Sequence, residues 1–365
     1  MTNLFKDNLY KAFKGKKVIV TGHTGFKGSW LTTWLNALGA DVTGISINVP
    51  TSPSNFKANQ LQTKINDIRC DVTDLAKTMK LIKRLKPDFV FHLAAQSLVK
   101  KSYDSPLLTW QTNLIGTVNV LESLRRTNKE CYAVIITSDK CYDNVEWLWG
   151  YRENDKLGGP DPYSASKGAA EIAINSYFKS FFSRKESKVR VASARAGNVI
   201  GGGDWAEDRI IPDCVKSWSR SNKVKIRNPK ATRPWQHVLE PLSGYLKLAI
   251  DLKKNKFLNG ESFNFGPSAE NDFTVKELVI SMSQFWDKVS WIDISKKTRG
   301  PYESNLLKLN CDKALKQLGW RPTLDYHKTI EFTALWYKAY YEDKKSIIDL
   351  TSKQIQSFMD MYDRK

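Results

Sequence analysis

Residues 16–28 read Lys16-Lys17-Val18-Ile19-Val20-Thr21-Gly22-His23-Thr24-Gly25-Phe26-Lys27-Gly28, and the fold turns on them. The apolar, β-branched run up to Gly22 is the kind that fills a strand buried on both faces. Behind the glycines, Trp30, Leu31, Trp34, Leu35 and Leu38 form the apolar stripe of a helix, and a second strand is expected from Val42 to Ile47. Strand, glycine turn, helix and strand is the setting a dinucleotide fingerprint requires. Its glycines let backbone N–H groups approach a pyrophosphate, and the helix N-terminus faces the phosphate charge.

Outward from this unit the alternation continues. Phe89 to Leu93 is expected as a strand leading into Ala94-Ala95-Gln96, where small residues let a cofactor lie against the strand end. A helix over Pro106 to Arg126, a strand over Tyr132 to Thr137, a helix over Tyr163 to Phe182 and a strand over Val189 to Ala194 follow. This order predicts an α/β fold, a doubly wound parallel Rossmann sheet with ligands at the carboxyl ends of its strands.

Beyond Arg195 the chain turns glycine-rich and irregular. A returning strand is expected at Ser262 to Gly266, with helices over Val275 to Trp286, Asp312 to Leu318 and Asp325 to Tyr340. The expected division is a dinucleotide-binding domain over 1–195, a smaller interleaved α/β substrate-binding lobe over 196–345 and a peripheral tail over 346–365. Leu4, Phe5, Leu9 and Phe13 suggest a short amphipathic helix before the first strand.

Composition narrows the class. The chain has 365 residues, 41% hydrophobic and 26% charged, enough for a large core and two lobes around one cleft. No run of about 18 apolar residues offers a transmembrane helix, and the N-terminus lacks the apolar segment of a secretory signal. Five scattered cysteines fit a reducing cytoplasm and no metal site. The formal net charge of +19 is spread over nearly every segment. That argues for a solvated surface that attracts anionic substrates, against a nucleic-acid or membrane partner. The four histidines show no metal spacing, and the tryptophans, Trp147 and Trp149 included, are expected in the core.

Chemistry concentrates between Val134 and Glu171. Ser138-Asp139-Lys140 stand at the end of an apolar strand, and Tyr163 and Lys167 are four apart on one helix face. An ammonium beside a phenol favours the phenolate and would bring Tyr163 toward use as a base near neutral pH.

TGHTGFKG, HLAAQ, the strand-end Ser138, Tyr163-x-x-x-Lys167 and RAGNVIGGGDW together resemble the extended short-chain dehydrogenase/reductase superfamily, from about Lys16 to Tyr337. The strings SDKCYDNVEWLWGYRENDKLGGPDPYSASK and RPWQHVLEPLSGYL resemble the CDP-glucose 4,6-dehydratases within it. Related dTDP-glucose dehydratases carry Asp-Glu in place of Asp139-Lys140, and 4-epimerases small residues. Inverting UDP-N-acetylglucosamine dehydratases share Asp-Lys but lack the WLWGYRENDKLGGPDP insert.

The resemblance implies a cytoplasmic NAD-dependent lyase acting on CDP-glucose in deoxysugar synthesis for O-antigen or other surface polysaccharide, working as a homodimer or homotetramer. The implied cofactor contacts are Gly22, Thr24, Gly25, Phe26, Gly28, Asp71, Val72, Leu93, Ala94, Ala95 and Gln96, with Tyr163 and Lys167. Asp71 would accept from the adenine amino group. By residues alone NAD and NADP stay undecided, because the second strand ends in Ser46-Ile47-Asn48-Val49 with no carboxylate for the ribose and no arginine clearly placed for a 2′-phosphate. The implied redox set is Ser138, Tyr163 and Lys167. The elimination set is Asp139 and Lys140, with Lys140 as base and Asp139 as acid or the reverse. Arg209 and Arg233, with Arg299, Tyr302 and Asn198, are the implied contacts to the substrate diphosphate and sugar. A catalytically silent dinucleotide sensor or nucleic-acid binder is the competing class; it has no need of a base at a sugar carbon.

Overall fold

A computed structural model describes residues 4–268, 270, 272–286, 289–295, 306–343 and 346–365. The apolar runs become seven strands: β1 (Lys17–Thr21), β2 (Asp41–Ser46), β3 (Asn66–Arg69), β4 (Phe89–His92), β5 (Cys131–Ile136), β6 (Val189–Arg195) and β7 (Ser262–Asn264). They form one sheet in the order β7-β6-β5-β4-β1-β2-β3, every neighbouring pair parallel. Every residue of β4 and β5 is buried, as strands covered on both faces must be. The strand order reverses between β1 and β4, so a crevice opens past Thr21 and His92.

Helices close both faces. On one side α1 (Leu4–Phe13) and α2 (Phe26–Ala37) bury Phe5, Leu9, Phe13, Trp30, Leu31 and Trp34 in a core that continues into the C-terminal half of the chain. On the other side Val120, Leu121 and Leu124 pack with Ile174 and Phe182 against the strands. The first of these comes from a helix over Pro106–Arg125 that widens into a π turn at Gln111–Ile115. The second comes from α3 (Pro162–Tyr177), which ends in a π turn at Phe178–Phe182. A further helix, α4 (Leu239–Lys254), is apolar on most of its circumference and lies over β5 and β6.

Two expectations are corrected. The last residues, expected at the periphery as a helix or a frayed end, do form a helix, α5 (Ile347–Arg364), but it is packed into the fold and buries Ile355, Phe358 and Met359. Phe358 meets Trp34 edge-on at 5.7 Å, and Tyr362 stacks on Phe5 at 3.9 Å, so the chain's end locks onto its beginning. The overall polarity of the segment hid this stripe, since only one face of an amphipathic helix needs to be apolar. Trp147 and Trp149 are not core residues either: they are 37% and 72% exposed. They lie in a surface excursion between Tyr142 and Leu157, which bridge to each other, and Trp147 leans on Tyr151 at 5.2 Å.

Candidate active site

The glycine turn is built from backbone against backbone. Gly22 has φ +73°, and a Cβ there would fall 2.7 Å from the Ala94 nitrogen; at Gly28 a Cβ would fall 2.1 Å from the Gly22 carbonyl oxygen. Only glycine tolerates these approaches. Gly25 caps α2 without a side chain, and the first turn of the helix carries no acidic residue. Its free N–H groups and positive dipole end therefore face the crevice, a cradle fitted to a dinucleotide pyrophosphate. Thr24 Oγ1 donates to the Asn48 carbonyl at 2.6 Å, and the Leu93 and Ala94 amides both donate to Thr21 Oγ1 at 3.1 Å. Phe26, Ala94 and Ala95 are half-buried around the opening.

Other expected cofactor contacts take different partners. Gln96 uses its own side chain to shape the loop: Nε2 donates to the Leu98 carbonyl and Thr109 Oγ1 at 3.0 Å, while Oε1 accepts from the Leu98 amide at 2.7 Å. Its backbone is held by Asn113, which stands on the π turn and reaches Ser166 on α3 at 2.9 Å. Asn113 was missed because nothing local marks it; a π turn inside a helix is a frequent companion of functional sites. Asp71 accepts from the Thr73 amide at 2.9 Å, and Val72 is buried against Gly116. Where a ribose carboxylate was sought, His23 is buried between Ser46 Oγ (3.0 Å) and Asp67 Oδ1 (2.9 Å). Arg69 stands in register with Ser46, paired to Asp67 at 2.6 Å. The strand beside β2 thus carries an arginine, already neutralised by its neighbour.

The catalytic candidates converge at the carboxyl end of β5. Asp161 caps α3 by accepting from the Tyr163 and Ser164 amides at 3.0 Å, and Pro162 fills the first helical position. This cap fixes the start of α3 and so the place of Tyr163, whose phenol lies close enough to Ser138 for that hydroxyl to pull its pKa down. Ser138, Asp139, Tyr163 and Lys167 are all buried. Burial pushes Tyr163 up to about 12, against the pull of Ser138 and Arg209, and pushes Lys167 down to about 8. The expected lowering of the Tyr163 pKa meets a larger opposing effect: loss of water around the phenolate, with Asp139 nearby, outweighs Ser138 and Arg209.

Asp139 opens the short turn Asp139–Cys141. Its Oδ1 accepts from Ser138 Oγ at 3.0 Å, and Asn198 Nδ2 reaches its Oδ2 at 3.4 Å. Asn198, expected on the substrate, thus stands beside the elimination carboxylate, on a backbone with φ +52°. Gly197 lies flat against the same carboxylate: a Cβ there would sit 1.7 Å from Asp139 Oδ2. Lys140 is half-buried beside it. Arg209 faces the same cleft, bonded to Asp204 at 2.7 Å and 3.5 Å from Ser97 Oγ, and it acts electrostatically on Tyr163. Arg233 lies on a two-residue strand paired with Phe273–Thr274 and donates to the Thr232 carbonyl at 2.7 Å. Arg299 and Tyr302 lie outside the described residues.

Lys27 was also missed. It projects from the glycine turn toward Asp139, Arg209, Lys167 and Asp204, and burial pushes it down to about 8. Its place inside a phosphate-binding motif masked it, because the motif is read for its glycines. Among the described residues no group of three or more His, Cys, Asp or Glu could hold a metal ion, and no helix is long and apolar enough to cross a membrane.

Comparison with known proteins agrees with this architecture. A family model described as GDP-mannose 4,6 dehydratase matches residues 19–333. A CDP-glucose 4,6-dehydratase of Salmonella typhimurium is 45% identical over 351 residues, covering 95% of this chain and 97% of that one. An epimerase structure from Methanothermobacter thermautotrophicus superposes with a TM-score of 0.78 at 22% identity, covering 96% of this chain and 98% of that one. A Bacillus anthracis dTDP-glucose 4,6-dehydratase in complex with NAD gives 0.72 at 20% identity, over 90% and 99% of the two chains. The two structures speak for the fold. With the family model spanning most of its length and a full-length relative at 45% identity, the chain belongs to the GDP-mannose 4,6 dehydratase family.

Proposed function

We propose that this protein is an NAD-dependent hydro-lyase that converts CDP-glucose to CDP-4-dehydro-6-deoxy-glucose in deoxysugar synthesis. One observation carries the reading. At the carboxyl end of β5 the buried Ser138, with Tyr163 and Lys167 of α3 as a hydroxyl–phenol–ammonium set, bonds Asp139, which with the half-buried Lys140 forms a carboxylate–ammonium pair. The 45% identical relative bears the name of that activity.

Removing water across C5 and C6 of a hexose needs an acidic C5 proton, which a ketone at C4 provides. Bound NAD would supply reversible hydride exchange, accepting at C4 and returning at C6. The glycine cradle at Gly22, Gly25 and Gly28, with Ala94 and Ala95, would hold it, and Lys167 would hold its ribose. Tyr163 removes the C4 hydroxyl proton while Ser138 orients the same oxygen. In the present state the phenol keeps its proton, so the step needs positive charge gathered beside Tyr163; Arg209 already acts in that sense. Lys140 takes the C5 proton and Asp139, held by Ser138 and Asn198, protonates the departing C6 hydroxyl. The exchanged roles, Asp139 as base and Lys140 as acid, are the alternative. Arg209 and Arg233 serve the substrate diphosphate, for which guanidinium geometry is suited.

A UDP- or dTDP-sugar substrate is the second reading, because guanidinium contacts to a diphosphate serve any nucleotide base. The five unpaired cysteines support a cytoplasmic setting. Exposed Leu107, Leu108, Ile115 and Ile172 on helices flanking the sheet support a homodimer or homotetramer. Incubation with NAD and, in parallel, CDP-, UDP- and dTDP-glucose tests the proposal. The alkaline absorbance of a 4-keto sugar is expected with CDP-glucose foremost; its absence with all three refutes the activity.

A further inference from the structure

Behind the pocket lies a buried ion pair that the reaction as described does not use. Glu171 follows Tyr163 and Lys167 at the same spacing, so the three side chains share one face of α3. Its carboxylate bonds Arg195 at 2.7 Å, with both side chains at most 3% exposed. Thr137, Ser193 (2.8 Å) and Ser262 (3.2 Å) also donate hydroxyl hydrogen bonds to it. These partners come from the ends of β5, β6 and β7, and Thr137 immediately precedes Ser138. Arg195 extends the contact to Tyr142 Oη at 2.7 Å and to the Glu153 carbonyl at 2.9 Å, and Tyr142 donates to Asn264 at 2.8 Å. Tyr142 directly follows the Asp139–Cys141 turn. Burial alone would raise the Glu171 pKa, but Arg195 and the hydroxyls outweigh it and hold the carboxyl below its usual range, so it is anionic.

We propose that Glu171 is a positioning residue that ties the catalytic helix to the strand ends bearing Ser138 and Asp139 and supplies the counter-charge one turn behind Lys167. The proposal rests on Lys167 acting in the reaction as a cation. The groups acting on Lys167 support it. Burial opposes its charged form, and Cys141 on the turn and Glu171 on its own helix favour it; of these two only Glu171 carries a charge, because burial keeps the Cys141 thiol protonated. Lys27 from α2 and His92 from β4 also face it. His92 is pushed to about 3 by burial and stays neutral at working pH, so Glu171 is the fixed negative charge in this group.

A purely structural ion pair would change stability and leave the titration of Lys167 alone. The test uses full-length protein with 13Cε-labelled lysine, the Lys167 resonance being assigned by its loss in Lys167→Met. In Glu171→Gln the Lys167 midpoint is expected to fall by about one pH unit, the usual influence of one close opposite charge. The alkaline limb of kcat should move with it. Because Glu171→Gln strands a buried guanidinium and threatens folding, Glu171→Gln/Arg195→Met removes both charges and should show a fall in the same direction, smaller because the Arg195 cation is lost too, with a recovered Tm. An unchanged midpoint in the folded double variant overturns the proposal. Wild-type turnover in Lys167→Met would instead overturn the catalytic reading on which it rests.

Discussion

Gly197→Ala is the sharpest probe of the elimination half of the site. A Cβ at 197 would sit 1.7 Å from Asp139 Oδ2, 1.9 Å from Cγ and 2.4 Å from Oδ1, so no rotation of the carboxylate escapes it. Carbon and oxygen need about 3.3 Å, which forces the carboxylate away by about 1.5 Å and breaks its bonds from Ser138 and Asn198. Misplacing a reacting group by about 1 Å costs on the order of 100-fold in rate, or about 2.7 kcal/mol of barrier. Oxidation at C4 depends on Ser138, Tyr163 and Lys167 and should survive. The assay pairs steady-state release of the 4-keto-6-deoxy product with single-turnover formation of reduced nicotinamide at 340 nm. Product formation should fall about 100-fold while reduced nicotinamide accumulates. Wild-type kcat in a folded Gly197→Ala protein would refute the assignment of Asp139.

Tyr163→Phe removes the proton acceptor for the C4 hydroxyl and should lower kcat by about 100- to 10,000-fold, with no transient at 340 nm; turnover within a few-fold of wild type would count against Tyr163. Gly22→Ala places a methyl group 2.7 Å from the Ala94 nitrogen at a φ of +73°, so NAD binding by titration calorimetry should weaken at least tenfold; unchanged affinity would move the cofactor elsewhere. Burial depresses Lys167 to about 8, so its cation is present below that pH and lost above it. kcat should therefore decline as pH rises through about 8, and a flat profile to pH 10 would contradict this. Deleting residues 347–365 uncovers Trp34 and removes Ile355, Phe358 and Met359 from the core. At about 1.5–3 kcal/mol for each buried side chain, the truncated chain should lose its cooperative thermal transition, and an unaltered Tm would show that α5 is dispensable.

What the sequence displays is what short spacing encodes. The strand–glycine–helix unit, the strand-end Ser138 and the four-residue step from Tyr163 to Lys167 are local patterns, and each stands where its spacing puts it. Contacts across long separations carry no such mark. Asn198 reaches Asp139 over 59 residues, and Arg195 meets Glu171 over 24. Both depend on how β5, β6 and α3 end relative to one another. Lys27 and Gly197 were overlooked for a related reason: their importance lies in what a side chain, present or missing, meets from another element. The electrostatics of Tyr163 were misjudged because the pairing with Lys167 is visible in the sequence and the burial around both is not.

The central claim is that one pocket oxidises C4, expels water from C5 and C6, and reduces C6 with the same hydride. CDP-glucose deuterated at C4, turned over with NAD in ordinary water and followed by NMR and mass spectrometry, tests it most directly. The account predicts a 6-deoxy-4-keto product carrying the deuterium at C6. Deuterium lost to solvent, or a C4-epimerised hexose that keeps its C6 hydroxyl, would contradict it.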